Sequence, residues 1–242
     1  MLRFVVFVLL LSASLASRAD PGYYVVSVYD NEGQRSVEYR HWTVSRPGRP
    51  MRIWPELGVG WGVTSRWTTL LLASWDGSSE KATRLSTLNW QNDVLLTQGQ
   101  LPFDLALHLN LYADRDRATG NAWEFGPVFQ TELGTHTQLN ANLFFERRFR
   151  TDEPGPTELK YQWQLKRRVP PFWAFGLQGF GELGPWDHWS ERDAQSHRAG
   201  PAVFATLPLR DGRSVQVQAA YLIGEINARH GRMFSLRAAY TF

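Results

Sequence analysis

The 242-residue chain has no cysteine, only three lysines and, beyond residue 19, no long apolar run. The missing cysteine excludes a disulfide scaffold, a thiolate zinc site and a cysteine nucleophile together. A membrane-crossing helix needs about 20 consecutive apolar residues; with none available and a mean hydropathy of −0.35, the chain is not a helical membrane protein. Disorder is excluded from the other side, because 14% of the residues are aromatic and only 20% are charged. A single large all-β domain fits the length as well as two small domains do.

The first nineteen residues, MLRFVVFVLLLSASLASRA, read as a secretory leader. Arg3 supplies the positive start, Phe4–Leu11 the apolar stretch, and Ser17 and Ala19 the small residues of a cleavage site. Removing the leader takes away Arg3 and Arg18 and no acid, leaving 24 basic against 23 acidic residues. A chain so nearly neutral offers no clustered, uncompensated positive surface, so the pI of 9.3 does not indicate a nucleic-acid partner.

Almost all of the remainder alternates with period two. Phe103, Leu105, Leu107, Leu109 and Leu111 fall on one face, and Asp104, Ala106, His108, Asn110 and Tyr112 on the other. The same pattern sets Leu139, Ala141, Leu143 and Phe145 against Gln138, Asn140, Asn142, Phe144 and Glu146. At helical spacing these residues would scatter around a cylinder. Strands are predicted over 34–45, 52–62, 66–76, 84–95, 103–113, 121–133, 136–149, 157–168, 172–183, 197–208, 213–223 and 232–242. Tyr23–Asp30 is extended in character too, so ten or fourteen strands remain alternatives to twelve. From about residue 60 the connections alternate short (63–65, 97–101, 134–135, 169–171, 209–212) and long (77–83, 114–120, 150–156, 184–196, 224–231).

Strand length decides which solvent the apolar face meets. Soluble strands run about 5–6 residues, whereas about 9–11 tilted residues cross a bilayer. Most of these strands are long enough to cross, and their polar faces carry Gln, Asn, Glu and Arg in rows. A water-filled or salt-bridged lumen has that composition. Aromatics near strand ends, among them Trp42, Trp54, Trp67, Trp75, Trp123 and Trp173, suggest interfacial girdles.

The last strand places Phe234, Leu236, Ala238, Tyr240 and the terminal Phe242 on one face, with Ser235, Arg237, Ala239 and Thr241 on the other. With the leader and the alternating connections, this ending resembles Gram-negative outer-membrane β-barrel proteins over residues 34–242. The resemblance implies an up-and-down antiparallel transmembrane barrel of about twelve strands, preceded by a periplasmic or lumenal segment at 20–33. It implies recognition of Tyr240 and Phe242 by the barrel-assembly machinery, and a surrounding of outer-membrane lipid and lipopolysaccharide. One departure is the lack of a glycine in residues 233–242.

With leucine-rich faces toward lipid, the lumen or constriction candidates are Asp104, His108, Glu124, Glu146, Arg148, Lys160, Lys166, Arg168, Arg198 and Arg237. Glu38, Arg40, Glu56, Asp93, Glu132, Glu158 and Glu182 share the inward parity. Acids gather on the 84–133 strands and bases on the 148–168 strands, which suggests either a transverse field for a solute or a salt-bridged plug. Arginine's planar fork suits carboxylates and phosphates, so an anionic solute is one reading of the 23 arginines. Genome composition is the other.

Catalytic and metal signals are sparse. Ser196 and His197 are adjacent, and adjacent strand residues point to opposite faces, which makes them a poor dyad. Asp187, His188 and His197 are weak metal-ligand candidates in a loop without tight spacing. No catalytic residue and no cofactor is expected. The residues point to a narrow channel or transporter for a small polar or anionic solute. A plugged structural barrel and a lipid-modifying hydrolase are the alternatives.

Overall fold

The computed structural model describes residues 24–28, 32–97, 99–116, 118–152, 154–226 and 229–242. The expected leader, and residues 20–23 and 29–31 of the segment after it, lie outside the described residues. Twelve strands follow in order: β1 (Arg35–Ser45), β2 (Arg52–Gly62), β3 (Trp67–Ser78), β4 (Arg84–Leu95), β5 (Phe103–Asp114), β6 (Asn121–Leu133), β7 (Thr137–Phe149), β8 (Glu158–Val169), β9 (Trp173–Pro185), β10 (Ser196–Pro208), β11 (Ser214–Glu225) and β12 (His230–Thr241). Each pairs antiparallel with its sequence neighbours, and β1 pairs with β12 to close the barrel. At that seam Arg35 and Phe242 exchange both backbone hydrogen bonds at 2.9 Å.

The alternation becomes two surfaces. Leu71, Leu88, Leu107, Leu109, Phe175, Leu177, Ile223 and Phe234 are exposed on the outside, while Glu38, Arg40, His108, Asn110, Glu124, Asn140, Gln178 and Arg198 are buried inside. Among the described residues no helix is long and apolar enough to cross a membrane; the strands themselves are long enough to do so.

Four details differ from the sequence reading. Tyr24–Val28 pairs with no strand. Trp42 and Trp54, expected in an interfacial girdle, point into the lumen and are buried; they share parity with Arg40 and Glu56, and parity outweighs nearness to a strand end. Strand β12 begins two residues earlier than expected and so includes Gly231. The alternation of loops is also weaker, because the ladder holds to Glu225 and resumes at His230, while residues 96–102 form a connection as long as several opposite it.

Proline inside a closed sheet has no free edge to occupy. The β6–β7 register runs unchanged from Phe125↔Phe145 to Val128↔Asn142 but the pairing is interrupted at Gly126 and Pro127. The β10–β11 register does the same at Gly200 and Pro201. In both places the glycine lets the neighbouring backbone come close: a Cβ on Gly126 would sit 1.9 Å from the Leu143 carbonyl oxygen, and one on Gly200 would sit 2.0 Å from that of Tyr221. Gly126→Val therefore forces the β6–β7 backbone apart and costs about 1–3 kcal/mol or more. The expected result is a lower temperature at which the compact, heat-modifiable form converts on a denaturing gel, with Gly155→Ala, whose Cβ meets nothing within 4 Å, as the milder comparison.

Candidate functional site: a filled lumen between two cavities

The inner wall is not uniformly polar. Trp42, Val44, Trp54, Phe180, Leu222 and Met233 form one buried apolar cluster, and Leu95, Ala106, Val128 and Phe144 form another. The chain's own N-terminal segment joins them: Tyr24 and Val25 pack into the first cluster, Val26 into the second, with Val28 against its margin. The Val26 amide donates to Gln162 Oε1 at 3.1 Å, and Asn142 Nδ2 donates to the Val26 carbonyl at 2.8 Å. The Arg40 guanidinium lies 3.5 Å from the centre of the Tyr24 ring. An extended five-residue stretch thus crosses the lumen with its apolar side chains seated in apolar hollows.

Around it runs a layer of paired charges. Glu38 on β1 takes Arg40 and both Nε and Nη2 of Arg237 on β12, the latter at 2.8 and 2.7 Å. Arg40 continues to Glu56 at 3.8 Å and Gln91 at 3.3 Å. Glu56 accepts from Ser74, and Asn89 donates to it at 3.3 Å.

Further round the same wall, from β4 to β6, His108 Nδ1 meets Asp93 at 2.6 Å and its Nε2 lies 3.7 Å from Glu124. Tyr112 donates to Glu124 at 3.2 Å. Lys160 bridges Glu124, at 3.9 Å, and Glu146. Arg148 pairs with Glu146 at 3.2 Å, Arg198 with Glu182 at 2.7 Å, and Arg168 grips Glu132 with both guanidinium nitrogens. Acids and bases therefore meet each other rather than facing across open water.

The remaining candidates stand apart from this layer. Asp104 accepts from the Gly99 amide at 3.2 Å in a connection at the end where the termini meet. Lys166 lies over the Phe204 ring at 5.6 Å. Glu158, expected inward, is exposed at the start of β8.

His188 and Asp187 meet at 2.7 Å but are exposed, whereas His197 turns to Tyr161 at 2.9 Å and Gln195 at 2.8 Å. Among the described residues no three ligands gather around a metal position. Ser196 is buried and points away from His197, as strand parity requires. Tyr240 and Phe242 stack on each other at 5.4 Å, and Phe242 is exposed on the outer wall.

Two cavities flank the filling. A vestibule of about 410 Å³ opens at the end remote from the termini, over Trp54, Thr87, Tyr112, Ala122 and Glu146. A smaller one of about 70 Å³ lies at the other end, roofed by Tyr24 and Val26 and bounded by Arg35, Ser36, Gln91 and Thr241. Sequence reasoning set Phe144 on the polar face but missed Trp42, Leu222 and Met233, which also share parity with polar lumen residues; four apolar residues on a polar face are a readable anomaly.

No family model matches the chain, and no curated protein matches it. Solved structures do. The NanC porin is 9% identical with a TM-score of 0.59, and the match covers 85% of this chain and 98% of that one. The KdgM porin is 10% identical with a TM-score of 0.55, covering 86% of this chain and 99% of that one. An outer-membrane channel from Pseudomonas putida F1 is 14% identical with a TM-score of 0.61, covering 93% of this chain and 100% of that one. The fold is that of an outer-membrane β-barrel. At these identities the likeness is one of architecture, and the outer-membrane barrels it joins include porins and channels.

In this barrel the charge layer makes Glu38 a single acid between two arginines. Its removal leaves Arg40 and Arg237 facing each other inside the wall. Breaking a buried pair costs about 3–5 kcal/mol. Glu38→Gln should lower the urea midpoint of the refolded barrel accordingly, read by the loss of the compact gel band.

Proposed function

We propose that the protein is a narrow outer-membrane channel for a small polar or anionic solute, exported with the help of its leader and closed in this structure by Tyr24–Val28. Tyr240 and Phe242 would present the assembly signal, and the leucine-rich wall would face lipid and lipopolysaccharide. The observation that carries the reading is the pair of cavities at opposite ends of one lumen, separated by a five-residue segment and the charge layer. A barrel of twelve strands is wider than its own side chains fill easily and narrower than a general porin. The KdgM porin has been solved in complex with oligogalacturonate, which supports an acidic solute as one kind of cargo for this architecture.

A second reading, a permanently filled structural barrel, is favoured by the pairing of Arg148, Arg168 and Arg198 with acids. Conductance separates the two. Val25→Asp with Val26→Asp puts two carboxylates into apolar hollows at a cost of several kcal/mol, enough to expel the segment. In planar bilayers the wild type is expected to be nearly silent and the double variant to give discrete conductance steps. A variant that keeps its compact gel band and remains silent overturns the channel reading in favour of the structural barrel. A wild type that conducts as well as the variant keeps the channel but removes the segment from its closure.

A further inference from the structure

The vestibule is lined by four arginines, Arg52, Arg84, Arg115 and Arg148, and by four acids. Counting commitments breaks this symmetry. Asp76 holds Arg52 at 2.7 Å, and Arg52 also lies over the Trp54 ring at 4.3 Å. Glu146 holds Lys160 and Arg148. Asp114 accepts the Asp116 amide at 2.7 Å, and Asp116 accepts the Ala118 amide at 3.1 Å and the Thr119 hydroxyl at 3.3 Å. Asp76 and Glu146 are thus held by cations of the wall, while Asp114 and Asp116 keep their charge but turn it toward amides and a hydroxyl of their own loop. Among the described residues Arg84 and Arg115 have no ion pair.

These two arginines share one corner. Arg84 opens β4, and the Arg115 amide donates to the Ser86 carbonyl at 2.8 Å, which fastens the end of β5 beside the start of β4. Arg84 and Arg115 both line the cavity, and a planar guanidinium fork matches the two-oxygen edge of a carboxylate or phosphate. The hydroxyls of Ser86, Thr87 and Thr119 line the same cavity and can accept hydrogen bonds as well as donate them. Its volume, about 410 Å³, lies within the about 300–1,000 Å³ range of small-molecule pockets.

We infer that the vestibule binds a small oxyanion, a carboxylate or phosphate monoester on a hydroxylated carbon frame, through Arg84 and Arg115. The inference deepens the channel reading by naming the class of solute, but binding at the vestibule requires no conduction. Both arginines are exposed and outside the charge layer, so their replacement leaves the wall intact.

Calorimetric titration of the refolded full chain in lipopolysaccharide-free detergent tests it. The probes are gluconate and glycerol 2-phosphate, with glucose and glucosamine as neutral and cationic comparators. At least one anion is expected to bind, the comparators are not, and Arg84→Gln with Arg115→Gln should weaken binding by about tenfold or more. The preferred anion distinguishes carboxylate from phosphate recognition. No binding of either anion to the wild type, equal binding of glucose, or unchanged binding by the double variant overturns the inference. Because the readout is heat, a protein that binds but never conducts fails the channel reading alone.

Discussion

Everything in this molecule follows from the requirement that a sheet in lipid leave no backbone group unpaired. The seam between β1 and β12, with Arg35 and Phe242 exchanging both hydrogen bonds, satisfies it by removing the last two edges. Closure fixes the parity of every residue at once, because one face of each strand must meet lipid and the other the lumen. It also fixes the size of the interior. An eight-stranded barrel fills itself with side chains, but twelve strands enclose more space than their own inward residues occupy. The filling is the chain's own Tyr24–Val28 stretch and a layer of ion pairs.

The ion pairs are not a free source of stability. Burying two charges costs several kcal/mol apiece before their attraction returns it, and an apolar pair of equal volume often does as well. Their distribution does explain how they are satisfied: Glu38 serves two arginines, Lys160 serves two glutamates, and His108 sits between Asp93 and Glu124. Most of these charges pair with the next strand, and Lys160 and Arg168 on β8 reach past β7 to Glu124 and Glu132 on β6, so the layer ties the wall together from inside. Arg237 and Glu38, on β12 and β1, reinforce the seam from inside.

The strands were legible because period two is a local signal and closure does not disturb it. All twelve appear within two residues of where alternation places them, and the outward set behind Phe242 is as the spacing requires. The inward candidates His108, Glu124, Glu146, Lys160 and Arg198 are likewise buried in the wall. Their pairing was not legible, since it depends on register between strands as far apart as β1 and β12. The two tryptophans show the limit most clearly. Trp42 and Trp54 lie near strand ends, which suggests an interface, but composition at a strand end carries no sign of face and parity does. What Trp42 faces could be known only once Tyr24 was seen beside it, at 6.1 Å between ring centres.

That contact also accounts for the most unusual feature of the wall. A lumen that always held water would expose Trp42, Val44, Leu222, Met233 and Phe144 to it, at roughly 25 cal/mol for each Å² of apolar surface. Tyr24, Val25, Val26 and Val28 would be equally out of place in a solvated segment. Each set removes the need to explain the other: apolar hollows in a polar bore are where an apolar strand lies. Among the described residues the segment is held there by burial, by hydrogen bonds with Asn142 and Gln162 and by Arg40 over the Tyr24 ring, and it belongs to no ladder. A stretch joined to the sheet through side chains alone can leave without unzipping a strand. The wall would lose apolar contacts and would keep its backbone pairing, which is the property that distinguishes a removable filling from a thirteenth strand.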